Sequence, residues 1–158
     1  MRAWVTDTNK TARPVSMAFR FAVSMQGSLS VGSDLTKLSK EEIEDCKKYI
    51  ALYKKIRRTV QFGDLYRIMN YAEDKIYFNG YVNEDRSQAV YFACTGANSF
   101  FGNRFVNLKF KGLDENAVYT VKSEFRNYRK SGAYLMNKGI DIIYYKPLES
   151  EIFLLEKE

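Results

Sequence analysis

The sequence predicts a mainly β fold with one major helix, an α+β arrangement whose larger part is an antiparallel β-sandwich with Greek-key connections. Three observations carry this. One stretch, from Ser39 to about Val60, holds a capped amphipathic helical pattern. From Leu65 onward the chain breaks into short β-branched and aromatic runs at roughly ten-residue spacing, and turn-forming residues separate those runs. With 158 residues, 46% of them hydrophobic, the chain is long enough for one packed core, or for one domain and part of another.

Along the chain, residues 17–25, MAFRFAVSM, are apolar apart from Arg20 and show little alternation, as in a strand covered on both faces in a parallel sheet. The following QGSLSVGSD, with Gly27 and Gly32, reads as a loop able to bring backbone N–H groups near a ligand, or simply as a connector. Ser39 with Glu42 three residues later makes a capping box. Glu41, Glu44 and Asp45 load the helix start with negative charge, while Lys54, Lys55, Arg57 and Arg58 load its end. Ile43, Cys46, Ile50 and Tyr53 recur at spacings of three and four, widened by Tyr49, Leu52 and Ile56, so one face must lie on something apolar. The helix is expected to fade near Thr59 and Val60, with Gly63 just beyond.

The strand candidates are LYRIMNY, KIYFNGYV, QAVYFACT, RFVNLKFK, AVYTVKS, IDIIYY and EIFLLEK. NEDRS at 83–87, the Gly/Asn-rich 96–103, GLDEN at 112–116 and residues 130–132 punctuate them. About seven strands of this kind point to a sandwich. The boundary falls at 61–64, dividing the chain into 1–62 and 63–158.

Composition excludes several chemistries. There is no histidine, which removes Ser-His-Asp and Cys-His catalysis and any imidazole-ligated metal; acid/base work would fall to carboxylates, and no metal or cofactor is expected. Cys46 and Cys94 lie in segments that bury small thiols, without a CxxC motif, which favours a reduced, cytoplasmic setting. The net charge of +6 comes from 25 basic residues interspersed with 19 acidic ones, and only 54–58, KKIRR, is dense; it reads as a solvated helix face, so no nucleic-acid partner is expected. No run approaches the roughly 18 apolar residues of a membrane span, nor does the start carry a signal-peptide core, so no membrane partner is expected. Twelve Tyr and eleven Phe read as sandwich core. The rival reading is a carbohydrate-binding strip, which requires Tyr77, Tyr81 and Tyr91 in one exposed row.

Longer motifs bring a resemblance. Gly27-Ser28-Leu29, Asp34-Leu35, Tyr53-Lys54-Lys55-Ile56-Arg57 and Gln61-Phe62-Gly63-Asp64-Leu65-Tyr66-Arg67, followed by Lys111-Gly112-Leu113-Asp114, Tyr119-Thr120-Val121, Ser131-Gly132 and Leu135-Met136-Asn137-Lys138-Gly139, resemble the C-terminal portion of bacterial α-galactosidases of glycoside hydrolase family 36. The resemblance covers nearly the whole chain. It implies that 1–62 is the end of a (β/α)8 barrel, with its last strand-helix unit, and that 63–158 is the C-terminal sandwich. It further implies a parent that hydrolyses terminal α-galactosides such as raffinose or melibiose with retention, using a nucleophilic and an acid/base carboxylate about 5 Å apart.

The family's nucleophile lies in a Lys-Trp-Asp motif, which this chain lacks, so the chain alone is expected to be inactive and to need an upstream barrel segment as partner. Trp4-Val5-Thr6-Asp7 is similar to the acid/base motif Trp-x-Ser-Asp-Asn, making Asp7 a candidate acid/base equivalent. Only DTNKTAR spans Asp7 to Arg13, whereas the family has some thirty or more residues there. The second register, in which Asp7 is a barrel-loop residue and Trp4 replaces a family His, fits that spacing better. Trp4 would stack on a sugar face or be a buried ring with its N–H satisfied. Gly27 and Ser28, taken to follow the last barrel strand at the C-terminal rim, would line the sugar pocket or serve backbone packing. A strand at 15–25 stripped of its barrel neighbours would pair with another chain, so a homo-oligomer is expected.

Overall fold

The structure, a computed structural model, describes residues 2–6, 15–96 and 104–158. It opens with strand β1 (Arg2–Val5), helix α1 (Met17–Ser24) and strand β2 (Ser28–Val31), followed by a 3-10 turn at Leu35–Lys37 and the long helix α2 (Lys40–Phe62). β1 and β2 pair in parallel, with Trp4 opposite Ser30 and Val5 opposite Val31.

Two expectations are corrected here. Residues 17–24 form a helix, not a strand, and the strand of this region is Ser28–Val31, inside the predicted loop. A nine-residue apolar run has no periodicity that separates buried strand from buried helix. What decides is local chemistry: Ser16 caps the helix by accepting from Phe19 N at 3.2 Å, and Met17, Phe21 and Ser24 fall on one buried face. Arg20 turns its guanidinium back, Nε donating to Val15 O at 2.9 Å. The overlooked strand carries its own signal, since Ser-Leu-Ser-Val alternates with period two.

α2 follows the sequence reading closely. Glu42 N donates to Ser39 Oγ at 3.2 Å and Ser39 N to Glu42 Oε2 at 3.0 Å, completing the capping box. Cys46, Tyr49, Ile56, Thr59 and Val60 are buried, while Ile43 is exposed. The helix runs on to Phe62. At Gly63 a Cβ would come within 2.5 Å of both Thr59 O and Val82 O, so only glycine lets the helix end lie against the sheet this closely.

The remaining elements are β3 (Asp64–Met69), α3 (Tyr71–Asp74), β4 (Ile76–Val82), β5 (Gln88–Thr95), β6 (Arg104–Leu108), β7 (Val118–Lys122), β8 (Asn127–Ser131), α4 (Gly132–Asn137), β9 (Ile140–Tyr144) and β10 (Ser150–Lys157). Six strands form an antiparallel sheet in the order β3-β4-β5-β10-β7-β8, while β6 and β9 pair in a second layer, so the chain crosses between layers after β5, β6, β8 and β9. All seven strand candidates are present. β8, NYRKS, was not foreseen: it is a polar edge strand, and charged edges of this kind discourage further pairing.

The large sheet is covered on both faces. On one, Phe78, Tyr91 and Phe153 each pack edge to face on Phe110, beside Val106, Leu108, Ile140 and Ile142 of the small sheet and its approach. On the other, Tyr81, Val90, Phe92, Cys94 and Leu154 meet Met17, Phe21 and Ala22 of α1 and Cys46, Tyr49, Ile56 and Val60 of α2. β5 therefore alternates Ala89, Tyr91 and Ala93 toward the sandwich with Val90, Phe92 and Cys94 toward the helices, which is why QAVYFACT reads as continuously apolar. Polar ties ring the helix interface: Tyr81 Oη donates to Gln26 O at 3.0 Å, Thr59 Oγ1 to Gln88 Oε1 at 2.6 Å, and Lys48 Nζ meets Glu124 Oε1 at 2.8 Å.

Candidate functional site at the parallel strand pair

A parallel strand pair bridged by a helix is the repeating unit of α/β barrels, whose sites assemble at the C-terminal ends of the strands. Here those ends are Thr6 after β1 and Gly32, Ser33 and Asp34 after β2. Val5 is fully buried against the helices, and Leu29 and Val31 pack on the same cluster. By alternation, Trp4, Thr6, Ser28, Ser30 and Gly32 share the opposite, open face. Trp4 stands on it 55% exposed.

The rim is held tightly. Gly32 N donates to Val5 O at 2.8 Å and Ser33 Oγ to the same oxygen at 3.4 Å. A Cβ at Gly32 would sit 2.8 Å from Trp4 Cε3 and 3.3 Å from Thr6 Cγ2, so the missing side chain is what lets the indole approach the β2 end. Asp34 Oδ1 accepts from Thr36 Oγ1 at 2.6 Å and from Thr36 N at 3.1 Å. The Thr36 hydroxyl, its backbone N–H and the nearby Lys37 hold the Asp34 carboxyl below its ordinary range. Asp34 is thus an ionised turn-former, not a proton donor.

Of the residues singled out from sequence, Trp4 lies on the open face near the rim. Gly27 and Ser28 do not follow the last strand; they enter it. Four residues at about 3.3 Å each put Ser28 roughly 13 Å from Gly32, at the end away from the rim. Their placement at the rim rested on a strand at 17–25 that is a helix, and Gly27 O instead accepts from Tyr53 Oη at 2.8 Å, an internal tie to α2. Asp7 lies outside the described residues. Gly32, Ser33 and Asp34 were missed, although Gly-Ser-Asp directly after the alternating Ser-Leu-Ser-Val marks a strand's C-terminal end.

A carboxyl that must stay protonated near neutral pH to act as a general acid needs a raised pKa. Asp34, Glu41, Asp85, Asp114 and Glu158, the described carboxyls with displaced values, all move downward, each through hydrogen bonds to its charged form. Among the described residues no cluster of three metal-ligating side chains occurs, and no helix is long and apolar enough to cross a membrane. The aromatic strip fails its own condition: Tyr91 is fully buried with its hydroxyl on Lys111 O, Tyr81 is buried against α1, and only Tyr77 is open, stacked on Tyr71 at 5.6 Å. Lys54, Lys55, Arg57 and Arg58 are exposed around a buried Ile56, the basic outer face of α2.

Known proteins match along the chain. The family model described as "Glycosyl hydrolase family 36 C-terminal domain" matches residues 78–155, and that described as "Melibiase" matches 3–63. α-Galactosidase AgaA of Geobacillus stearothermophilus is 34% identical over 117 residues, covering 72% of this chain and 16% of its own length. α-Galactosidase Mel36A of Lactobacillus acidophilus is 36% identical over 145 residues, covering 92% and 19%. Among solved structures, the GH36 α-galactosidase AgaB of Geobacillus stearothermophilus superposes with a TM-score of 0.88 at 30% identity over 100% of this chain and 22% of its own. The galactosidase domain of the α-galactosidase-sucrose kinase AgaSK gives 0.88 at 25% identity, over 100% and 22%. The chain spans about a fifth of the length of these relatives.

Proposed function

This chain belongs to glycoside hydrolase family 36, matching the C-terminal portion of its α-galactosidases, and from that premise we infer that it completes and buttresses the catalytic barrel of a retaining α-galactosidase acting on oligosaccharides such as raffinose or melibiose. The observation that carries this reading is the parallel β1–β2 pair. It has helices on one face and Trp4 on the other, and among the described residues each strand pairs with no strand but the other, while Leu29 N also donates to Tyr53 Oη at 3.3 Å. The outer edges therefore have no strand partner among the described residues and are placed to take further parallel strands.

In that role α1 and α2 are the hinge plate: one side backs the strand pair, the other sits on the sandwich sheet. The division at 62/63 is supported by α2 ending at Phe62 and the antiparallel sheet starting at Asp64. Trp4 would present its ring to the C–H face of the galactose, with the Gly32 and Ser33 rim beside it. Asp7, outside the described residues, is assigned the part of a barrel-loop residue, or of the acid/base if Trp4-Val5-Thr6-Asp7 is the acid/base motif. The nucleophile must come from the upstream barrel segment, since no Lys-Trp-Asp occurs here. A homo-oligomer is supported by the open edges of β1 and β2, which replace the strand edge first assigned to 15–25. Two free, buried thiols support a reducing, cytoplasmic setting.

The test is an assay of the purified chain with an aryl α-galactoside. No turnover above the no-enzyme control is expected, and mixing with an upstream segment that carries Lys-Trp-Asp should restore it. Turnover by the chain alone that disappears in Asp7→Asn overturns the completing role.

A further inference from the structure

A second concavity lies away from the strand pair. Between the N-terminal end of α1, the β7–β8 turn and the β9–β10 connection is a hollow of about 1140 Å³. Phe125 and Tyr145 line it, 73% and 64% exposed. Tyr144 borders it from the core side, 3% exposed and packed in the sandwich cluster.

The charged groups of the hollow are half-used. Glu151, 6% exposed, takes both of its hydrogen bonds on Oε1, from Arg126 Nε at 3.1 Å and from the Ser123 hydroxyl, leaving Oε2 without one among the described residues. Glu149 likewise spends Oε2 on the N–H groups of Tyr145, at 2.8 Å, and Lys146, at 3.3 Å. Five carboxylates and three cationic side chains line the space. That excess of negative charge disfavours phosphates and acidic polymers. Carboxylates already steadied by a guanidinium or by backbone N–H groups accept well from neutral hydroxyls, and the Arg126 guanidinium donates to them. Flat exposed rings beside such groups suit the C–H face of a pyranose.

We propose that this hollow is a binding site for a neutral oligosaccharide, with Phe125 and Tyr145 as platforms and Glu151 and Arg126 as its polar floor. It belongs to the sandwich side of α1 and does not depend on the role assigned to the β1–β2 face.

The test is isothermal titration of the full chain with stachyose and, as the contrasting probe, polygalacturonate. Stachyose should bind saturably with a dissociation constant on the order of 1 mM. Phe125→Ala and Tyr145→Ala, both at exposed positions that leave the core intact, should each weaken it about three- to tenfold. Lys55→Ala, on the exposed outer face of α2, should leave it unchanged. Absence of saturable heat with stachyose, equal or tighter binding of polygalacturonate, or binding that survives both Phe125→Ala and Tyr145→Ala would each overturn the proposal.

Discussion

Cys94 sits on the helix-facing side of β5, and burial pushes its thiol up to about 12 from an ordinary 9.0. Near neutral pH its thiolate fraction is therefore about a thousandfold below that of a free thiol. Cys46 is also buried and shifted upward, chiefly by burial. Neither thiol is expected to react with a disulfide reagent in the folded chain within the time that both react in strong denaturant; rapid native labelling of Cys94 would show that α1 lifts from the sheet. At the surface, Lys157 Nζ lies 2.8 Å from Asp114 Oδ2, and chiefly through that bond the Asp114 carboxyl is held below its ordinary 3.8. The folded state thus binds fewer protons than the unfolded one around that value, so the contribution is fully present above about pH 4 and lost as pH falls through the lower folded value. Thermal midpoints measured from pH 6 to 2.5 should drop in acid, and Asp114→Asn should make the drop shallower. An unchanged acid slope would remove this pair from the account.

Helix α2 shows what a local pattern can specify. Cap, charge gradient and apolar period all agree over Lys40–Phe62, so the helix was legible without its partners. Ser39→Ala should cost about 1 kcal/mol by leaving Glu42 N without the Ser39 Oγ acceptor. Differential scanning calorimetry should register this as a midpoint about 2–4 °C lower; no shift would mean that solvent replaces the cap fully. Where signals compete, legibility failed. Residues 17–24 are apolar apart from Arg20 and Ser24 because α1 packs against β5, β10 and α2, and so few polar positions leave no clear stripe to distinguish helix from strand. β8 is polar because it is an edge, so it lacks the apolar run by which strands are found. Trp4 was legible as a lone aromatic candidate, but its face depends on the β1–β2 register, and the rim at Gly32 and Ser33 appears only once β2 is known to end there.

At the scale of the molecule, the helices and the sandwich share a buried layer, so a boundary in sequence is not a boundary in stability. Phe92, fully buried where β5 meets the helices, packs edge to face on Tyr81 at 6.0 Å. Phe92→Ala should cost about 3–5 kcal/mol. Denaturant curves followed by far-ultraviolet circular dichroism and by fluorescence of Trp4, the sole tryptophan, should coincide and shift together. Separate transitions would show two independent bodies. The strand order adds a timing requirement. β10 lies between β5 and β7, yet it is the last strand along the chain. During translation the ribosome has to deliver residues through Lys157 before the β3-β4-β5 and β7-β8 pieces can be joined. Until then the apolar undersides of both helices face an unfinished platform, a window in which chaperones would hold the nascent polypeptide. A nonsense codon just ahead of Ser150 would therefore leave two half-sheets with no strand to join them.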